Sequence, residues 1–365
     1  MKIRLLFIAI TENTSIRGVE RYCLELLKSL AKLYSSELEI TALIGQWQDY
    51  YHELADNNIT LIKANIVNKK TVRHLYLSFV LPVLSQHYDI VHYANTLPFI
   101  LGNKGPSVFT IHDIAEYFVP EKYSAIQLMY RKLIVKNAVI RSDKIITVSH
   151  FSKKAILNQY QIPSDKVIVT YNGIDHFRTE IRIDKSPLSN KYFLYFGVIE
   201  RSKGVVELIK AFQLFKQTTK VNYSLVIAGK KGNAYSDIEE LVADDVILLD
   251  YIPDGELIAY IRWAVAIVFV SKYEGFGFPA LEAFIYNNNI ISSNTTALGE
   301  ITKEFAIQVN PIDVMAIADA MVSVVESPRF FSLAEKEHIL AKYSWTKAAE
   351  DIMMLYGSML NKQKY

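Results

Sequence analysis

A chain of 365 residues exceeds the usual size of one hydrophobic core, so two compact domains are expected. With 51% hydrophobic and 21% charged residues the composition is ordinary for a globular protein and excludes extensive disorder, while 40 Lys and Arg against 38 Asp and Glu give a formal charge of +2, too weak for nucleic-acid binding by overall charge. The single cysteine, Cys23, excludes an internal disulfide or thiolate metal cluster and fits a reducing, cytoplasmic setting.

The elements follow in chain order. The apolar run 3–10 is only eight residues long and lacks the small-residue cleavage site of a signal peptide, so it reads as a buried strand. Residues 18–34 place Leu24, Leu27 and Leu30 on one helical face, and 38–44 is again strand-like. Strands are expected at 89–93, 107–111, 144–149 and 166–170, with helical period over 121–140; the first half ends near Asp175. Residues 176–191 mix charge, Ser, Asn and Pro without periodicity and read as a linker. The pattern restarts with strands at 192–197, 223–229, 246–250 and 265–270 and helices at 203–215, 255–263 and after Pro279. Alternating strand and helix marks parallel sheets flanked by helices, here in two βα halves. The run 263–270 is far too short to cross a bilayer, so no membrane-integral segment is expected.

The densest chemical signal is SKYEGFGFPALEAF, residues 271–284, directly after a strand. Gly275 and Gly277 permit unusual dihedrals and close ligand approach, and Pro279 suits a first helical turn whose exposed N–H groups can meet an anion. Glu274 in the loop and Glu282 in the helix are strong acceptors for sugar hydroxyls. A bare Gly-x-Gly is usually a plain βα turn; the strand, loop, helix order and the paired glutamates favour a site.

This segment resembles the Glu-x7-Glu signature of the family-four retaining glycosyltransferases of the GT-B fold. The resemblance implies an α/β protein of two Rossmann-like domains facing across a cleft, with a last helix that crosses back to the first domain. On that basis the expected domains are 1–177 on the acceptor side, a linker 178–190, a nucleotide-sugar domain 191–344, and a returning helix 345–365 that begins in YSWTKAAEDIMMLYGSML, where Trp345 packs. It also implies that Glu274 meets donor-sugar hydroxyls and Glu282 the ribose, with Gly275, Phe276 and Gly277 around the donor. Downstream, IISSNTTALGEI matches at Ser293, Asn294 and Glu300, with Gly299 where a Pro is usual. YFGVIERSKGVVELIKAF resembles the glycine-ended strand at Gly197 and places Lys203 at the diphosphate; Val198 stands where many members have Arg, so Arg201 is the candidate second cation. A fixed cation there lowers the barrier as the leaving nucleotide gains charge.

In the first half SVFTIHDIAEYF resembles the family's His-Asp after a strand, which implies that His112 lies near the reacting sugar and that Asp113 shapes the loop or acceptor site; an isolated histidine at a strand end is otherwise structural or solvated. SIRGVERYCLELL matches a Gly-Gly-x-Glu-Arg motif at Gly18, Glu20 and Arg21, while Arg17 replaces the first glycine and either crowds the site or adds a cation. VTYNGIDHF is similar to the family's hinge at Asn172, Gly173 and Asp175.

No Asp-x-Asp or His-x3-His occurs, so no metal and no cofactor are expected; the nucleotide diphosphate sugar is itself a substrate. The resemblance implies hexosyl transfer from a UDP- or GDP-linked sugar to a hydroxyl of a growing glycan in bacterial lipopolysaccharide, capsule or exopolysaccharide assembly, with retained anomeric configuration and no assigned nucleophile. Lys69, Lys70, Arg73, Arg131, Lys132, Lys136 and Arg141 are candidates for a basic patch touching an anionic membrane near a lipid-linked acceptor; a solvated helical face is the ordinary reading. Val198 and Arg17 keep a catalytically silent subunit, binding a nucleotide or a partner glycosyltransferase, as the alternative. A nucleotide-sugar epimerase of related architecture would turn over donor alone.

Overall fold

The computed structural model of the chain describes residues 2–95, 105–175, 185–287 and 289–361. Most of the expected linker 178–190 lies outside them, since 176–184 are not described. The chain forms two compact units, Met1–Asp175 with Ala341–Tyr365, and His176–Leu340.

The first unit holds strands β1 (Ile3–Ile8), β2 (Leu38–Gly45), β3 (Thr60–Ala64), β4 (Ile90–Tyr93), β5 (Ser107–Thr110), β6 (Lys144–Thr147) and β7 (Val167–Val169). They form one parallel sheet in the order β3-β2-β1-β4-β5-β6-β7. Its helices are α1 (Gly18–Tyr34), α2 (Lys70–Leu84), α3 (Ala115–Phe118), α4 (Ala125–Arg141) and α5 (His150–Tyr160). The central β1 buries Leu5 to Ile8 completely, as a strand covered on both faces must. Leu24, Leu27 and Leu30 of α1 are buried as their spacing requires.

The second unit carries β8 (Lys191–Phe196), α6 (Val205–Thr219), β9 (Tyr223–Ala228), α7 (Tyr235–Glu239), β10 (Val246–Leu249), α8 (Asp254–Trp263), β11 (Ala266–Phe269), α9 (Phe278–Tyr286), β12 (Ile290–Ser293), α10 (Thr296–Ile301), β13 (Ala306–Val309), α11 (Val314–Glu326) and α12 (Leu333–Ala341). Its parallel sheet runs β10-β9-β8-β11-β12-β13. Both sheets are therefore doubly wound, with strand order reversing beside the first strand, between β1 and β4 and between β8 and β11. Ligands of open α/β sheets bind beyond the carboxyl ends of strands at such reversals.

The last helix, α13 (Trp345–Asn361), belongs to the first unit, where it packs against α1. Asp175 Oδ1 accepts the Trp345 backbone N–H at 2.9 Å, Ile174 N–H donates to the Tyr343 carbonyl at 2.9 Å, and Trp345 is buried. Truncating an indole so enclosed costs about 3–5 kcal/mol. Among the described residues no helix is long and apolar enough to cross a membrane.

Strand β3 was not read from the sequence, because TLIKA is short and its Leu61, Ile62 and Lys63 are only partly buried or exposed at the sheet edge. The basic patch also does not form as one surface. Arg73 is 4% exposed, its guanidinium bound to Glu12 Oε2 at 3.3 Å and to the Asn68 side chain. Arg131 Nη2 donates to the buried Glu116 at 3.4 Å. The side chain of Lys70 lies outside the described residues.

Candidate functional site

In the second unit the two loops at the strand reversal are tied together. Loop β8–α6 carries Lys203, loop β11–α9 carries Glu274, and Lys203 Nζ lies 2.5 Å from Glu274 Oε1. Ser271 Oγ donates to the same oxygen at 3.3 Å, and the Lys272 N–H donates to the Ser202 carbonyl at 2.7 Å. Ser293 Oγ, at the end of β12, donates to the Ser271 carbonyl at 2.6 Å. Three strand ends thus hold one lysine and one carboxylate, each about three-quarters or more withdrawn from solvent.

Backbone conformation explains the glycines of these loops. Gly277, with φ +106°, is the N-cap of α9, and a Cβ there would lie 2.6 Å from Leu298 Cδ2. Gly204, with φ +70°, follows Lys203 and passes so near Val270 that a Cβ would meet its carbonyl oxygen at 2.1 Å. Only glycine suits a left-handed conformation at such contact distances. Pro279 follows in the first turn of α9, where its missing N–H costs no helical bond.

The other expected donor residues lie nearby in the same unit. Gly197 follows β8, its N–H bonded to the Ala228 carbonyl at 2.9 Å. Gly275 and Phe276 are buried, with Phe276 edge-on to Phe278 at 5.2 Å, so its ring packs within the loop. Glu282 is half-buried in α9. Arg201 is exposed and bidentate to Asp237, at 2.7 and 3.0 Å, which holds the Asp237 carboxyl below its usual range. Val198 is exposed. Gly299 sits within α10, where a Cβ would lie 2.3 Å from the Asn294 carbonyl oxygen.

Thr296 was not singled out from the sequence. It opens α10 with φ +60°, a costly conformation for a β-branched residue, and its Oγ1 is buried without a partner among the described residues. The adjacent Ala297 N–H donates to the Glu274 carbonyl at 3.4 Å. Nothing in the local sequence signals this, since threonine is a poor candidate for positive φ.

In the first unit a 390 Å³ cavity lies where the strand order reverses between β1 and β4. His112 and Asp113 line it, together with Glu12 and Asn13 after β1, Glu20 of α1, Asn95 after β4, Arg73 of α2 and Tyr130 and Arg131 of α4. His112 Nε2 lies 3.1 Å from the Ala94 carbonyl, which can only accept, so Nε2 carries the proton and Nδ1 is the acceptor in the neutral ring. Burial lowers the His112 pKa, although the Ala94 carbonyl, Asp113 and Glu20 act to raise it. Asp113 Oδ1 accepts the Ala115 N–H at 3.1 Å and so shapes the turn into α3.

Glu20, fully buried, accepts from Asn13 Nδ2 at 2.8 Å and from the Arg17 N–H at 3.2 Å. Arg17 and Gly18 lie exposed at the start of α1, while Val19 and Glu20 reach the cavity wall. Behind His112 the Tyr22 ring stands edge-on at 4.8 Å, its hydroxyl 2.9 Å from Thr110 Oγ1. Thr110 Oγ1 is 2.8 Å from His92 Nε2, and His92 Nδ1 is 2.6 Å from the Tyr356 hydroxyl. This buried chain links α1, β5, β4 and α13, and desolvation pushes His92 down to about 3.

Comparison with known proteins adds to this geometry. Residues 16–178 match the family described as Glycosyltransferase Family 4, and residues 177–345 match Glycosyl transferases group 1. The chain is 24% identical to O-antigen chain mannosyltransferase B of Escherichia coli, covering 93% of this chain and 96% of that protein. It is 26% identical to O-antigen chain mannosyltransferase RfbU of Salmonella typhimurium over 74% of this chain and 72% of the relative. Among solved structures, sucrose-phosphate synthase from Thermosynechococcus elongatus matches at a TM-score of 0.71 with 18% identity, over 99% of this chain and all of that one. HepE from Anabaena, solved with UDP and glucose, matches at 0.69 with 16% identity over 98% of this chain and 100% of the other. These similarities establish the shared two-domain GT-B fold.

Proposed function

Because the chain belongs to the group 1 glycosyltransferases, with a Family 4 domain ahead of the group 1 domain, we propose that it is a retaining hexosyltransferase that uses a nucleotide diphosphate sugar to extend a bacterial surface glycan. The observation that carries this reading is the Lys203–Glu274 pair at the strand reversal of the second unit. In this reading the donor diphosphate takes over Lys203 Nζ, which frees the Glu274 carboxylate for hydroxyls of the donor sugar. Glu282 binds the ribose, and the turn from Gly275 to the start of α9 supplies N–H groups for phosphate. The developing charge on the leaving diphosphate is neutralised by side chains, with no metal and no cofactor.

The first unit holds the acceptor. Its cavity presents sugar-sized polar chemistry, with Arg73 Nε, Arg131 Nε and Asn95 Oδ1 buried without partners among the described residues. A polyhydroxyl acceptor satisfies such groups, and the neutral His112 Nδ1 accepts from one of its hydroxyls. Retention follows a same-face course: the glycosidic C–O bond to phosphate breaks, the acceptor oxygen bonds to the anomeric carbon, and its proton passes to the leaving phosphate. Mannose is the first sugar to test, because the relatives named above are mannosyltransferases. The reaction is placed at the cytoplasmic face of the membrane, where a lipid-linked acceptor would be presented.

Thermal shift with a panel of GDP-, UDP- and other nucleotide sugars tests the reading. One donor is expected to stabilise wild type and not Glu282→Ala, and NMR of the product is expected to show the donor's anomeric configuration. No response to any nucleotide would sink it. Nucleotide binding without transfer to any glycan acceptor identifies a silent subunit, and turnover of donor alone an epimerase.

A further inference from the structure

We propose that the outer faces of α2 and α4 form a docking surface for an anionic lipid bilayer. The inference rests on the membrane-side reading above and replaces its basic patch with a different surface. In α2 the run from Leu75 to Leu84 is apolar except for Ser78, which is buried. Leu75, Phe79 and Val83, at positions i, i+4 and i+8, are each more than half exposed, Phe79 at 69%. A helix apolar around its whole circumference is normally buried on all sides. In α4, Ile126, Met129, Leu133 and Ile140 share one face, and each is more than 60% exposed. The two helices are neighbours, since the Tyr130 hydroxyl bonds to the His74 ring and the rings stack at 5.4 Å.

Charge selects the occupant. Neither α2 nor α4 contains an Asp or Glu, and with Arg73 and Arg131 committed to Glu12 and Glu116 the outward charge comes from other cations. Lys69, Lys136 and Arg141 are exposed on or beside these helices. A second copy of the same chain would bring like charge to like charge across such a face. An anionic headgroup layer accepts the cations while the apolar side chains enter the acyl boundary. The same helices contribute Arg73, His74, Tyr130 and Arg131 to the cavity that holds His112, so docking sets that cavity beside the bilayer. A lipid-linked acceptor then reaches it without leaving the membrane.

Flotation of the full chain with phosphatidylglycerol–phosphatidylcholine vesicles, against phosphatidylcholine alone, tests the assignment. Wild type is expected to float with the anionic vesicles, and Phe79→Glu and Leu133→Glu, made singly, to partition about ten-fold less or worse. Lys136→Glu is expected to lose about five-fold and to flatten the salt dependence. All three should keep the wild-type melting temperature and donor-induced stabilisation, while Glu282→Ala should float as wild type does. Absence of flotation at low salt overturns the proposal, as does flotation unchanged by both apolar substitutions. A wild-type dimer by light scattering that Phe79→Glu turns into a monomer, without any flotation, assigns the face to a second copy and also overturns it. None of these failures removes nucleotide binding, so they are separable from failure of the glycosyltransfer reading.

Discussion

The two sheets are wound alike, yet the loops at their strand reversals carry opposite kinds of chemistry. In the second unit the reversal between β8 and β11 gathers permanent charge, with Lys203 against Glu274 on loops bent by Gly204 and Gly277. In the first unit the reversal between β1 and β4 borders a cavity where His112 is kept neutral by burial and backed by the hydrogen-bonded chain through Tyr22, Thr110, His92 and Tyr356. On the proposed reading one site takes a charged diphosphate, the other a neutral hydroxyl. Winding decides where a ligand binds; loop residues decide what it is.

Lys203→Ala offers the largest test of that contrast. It is expected to lower kcat/KM by about 10²–10³, because it removes charge stabilisation needed as the leaving group departs, and to lower the melting temperature, because Glu274 loses its partner, in a fold that still forms. Retention of activity within a few-fold would break the assignment of charge chemistry to the second unit. For the first unit the test is pH. His92 has a folded pKa near 3, below its unfolded value, so the neutral ring is what the fold stabilises. The contribution is fully present above about pH 6.5 and is lost as pH falls toward 3, at roughly 1.4 kcal/mol per pH unit. Urea unfolding at stepped pH should therefore show wild type losing stability more steeply in this window than His92→Gln; equal slopes would mean that the ring is not buried neutral.

Thr296→Gly sharpens the picture of the second unit. Relief of positive φ should stabilise it by about 1 kcal/mol, read as a higher midpoint in urea unfolding. A destabilised variant would show that the turn is not strained. The smallest effect is expected for Arg201→Ala, since its guanidinium is occupied by Asp237 and exposed: KM for the donor should rise by about three-fold at most. A large loss would restore Arg201 as the second cation at the diphosphate.

Much of this was legible in the sequence because it is local. The alternation of apolar runs with helical periodicity is enough for two parallel sheets, and the strand–glycine loop–Pro–helix order around Glu274 marks the loop that is proposed to bind the donor. The short edge strand β3 was not, since an edge strand buries too little to leave a pattern. Nor was the fate of the basic residues. Arg73 and Arg131 look alike in sequence to Lys136, but each meets a carboxylate far along the chain, Glu12 and Glu116, while Lys136 stays at the surface.

By itself, then, the sequence determined the class of fold, the presence of a glycine-bent loop between a strand and a helix around Glu274 and the absence of acidic residues along α2 and α4, all properties set by composition and spacing over a few turns or strands. Only tertiary structure decided that Lys203 and Glu274 neutralise each other, that Arg201 is held by Asp237, that His112 keeps its proton on Nε2, and that α2 and α4 leave apolar faces uncovered. Each depends on which distant side chain or backbone group arrives within a few ångströms, and that follows from how strands are ordered in the sheets rather than from neighbours in the chain.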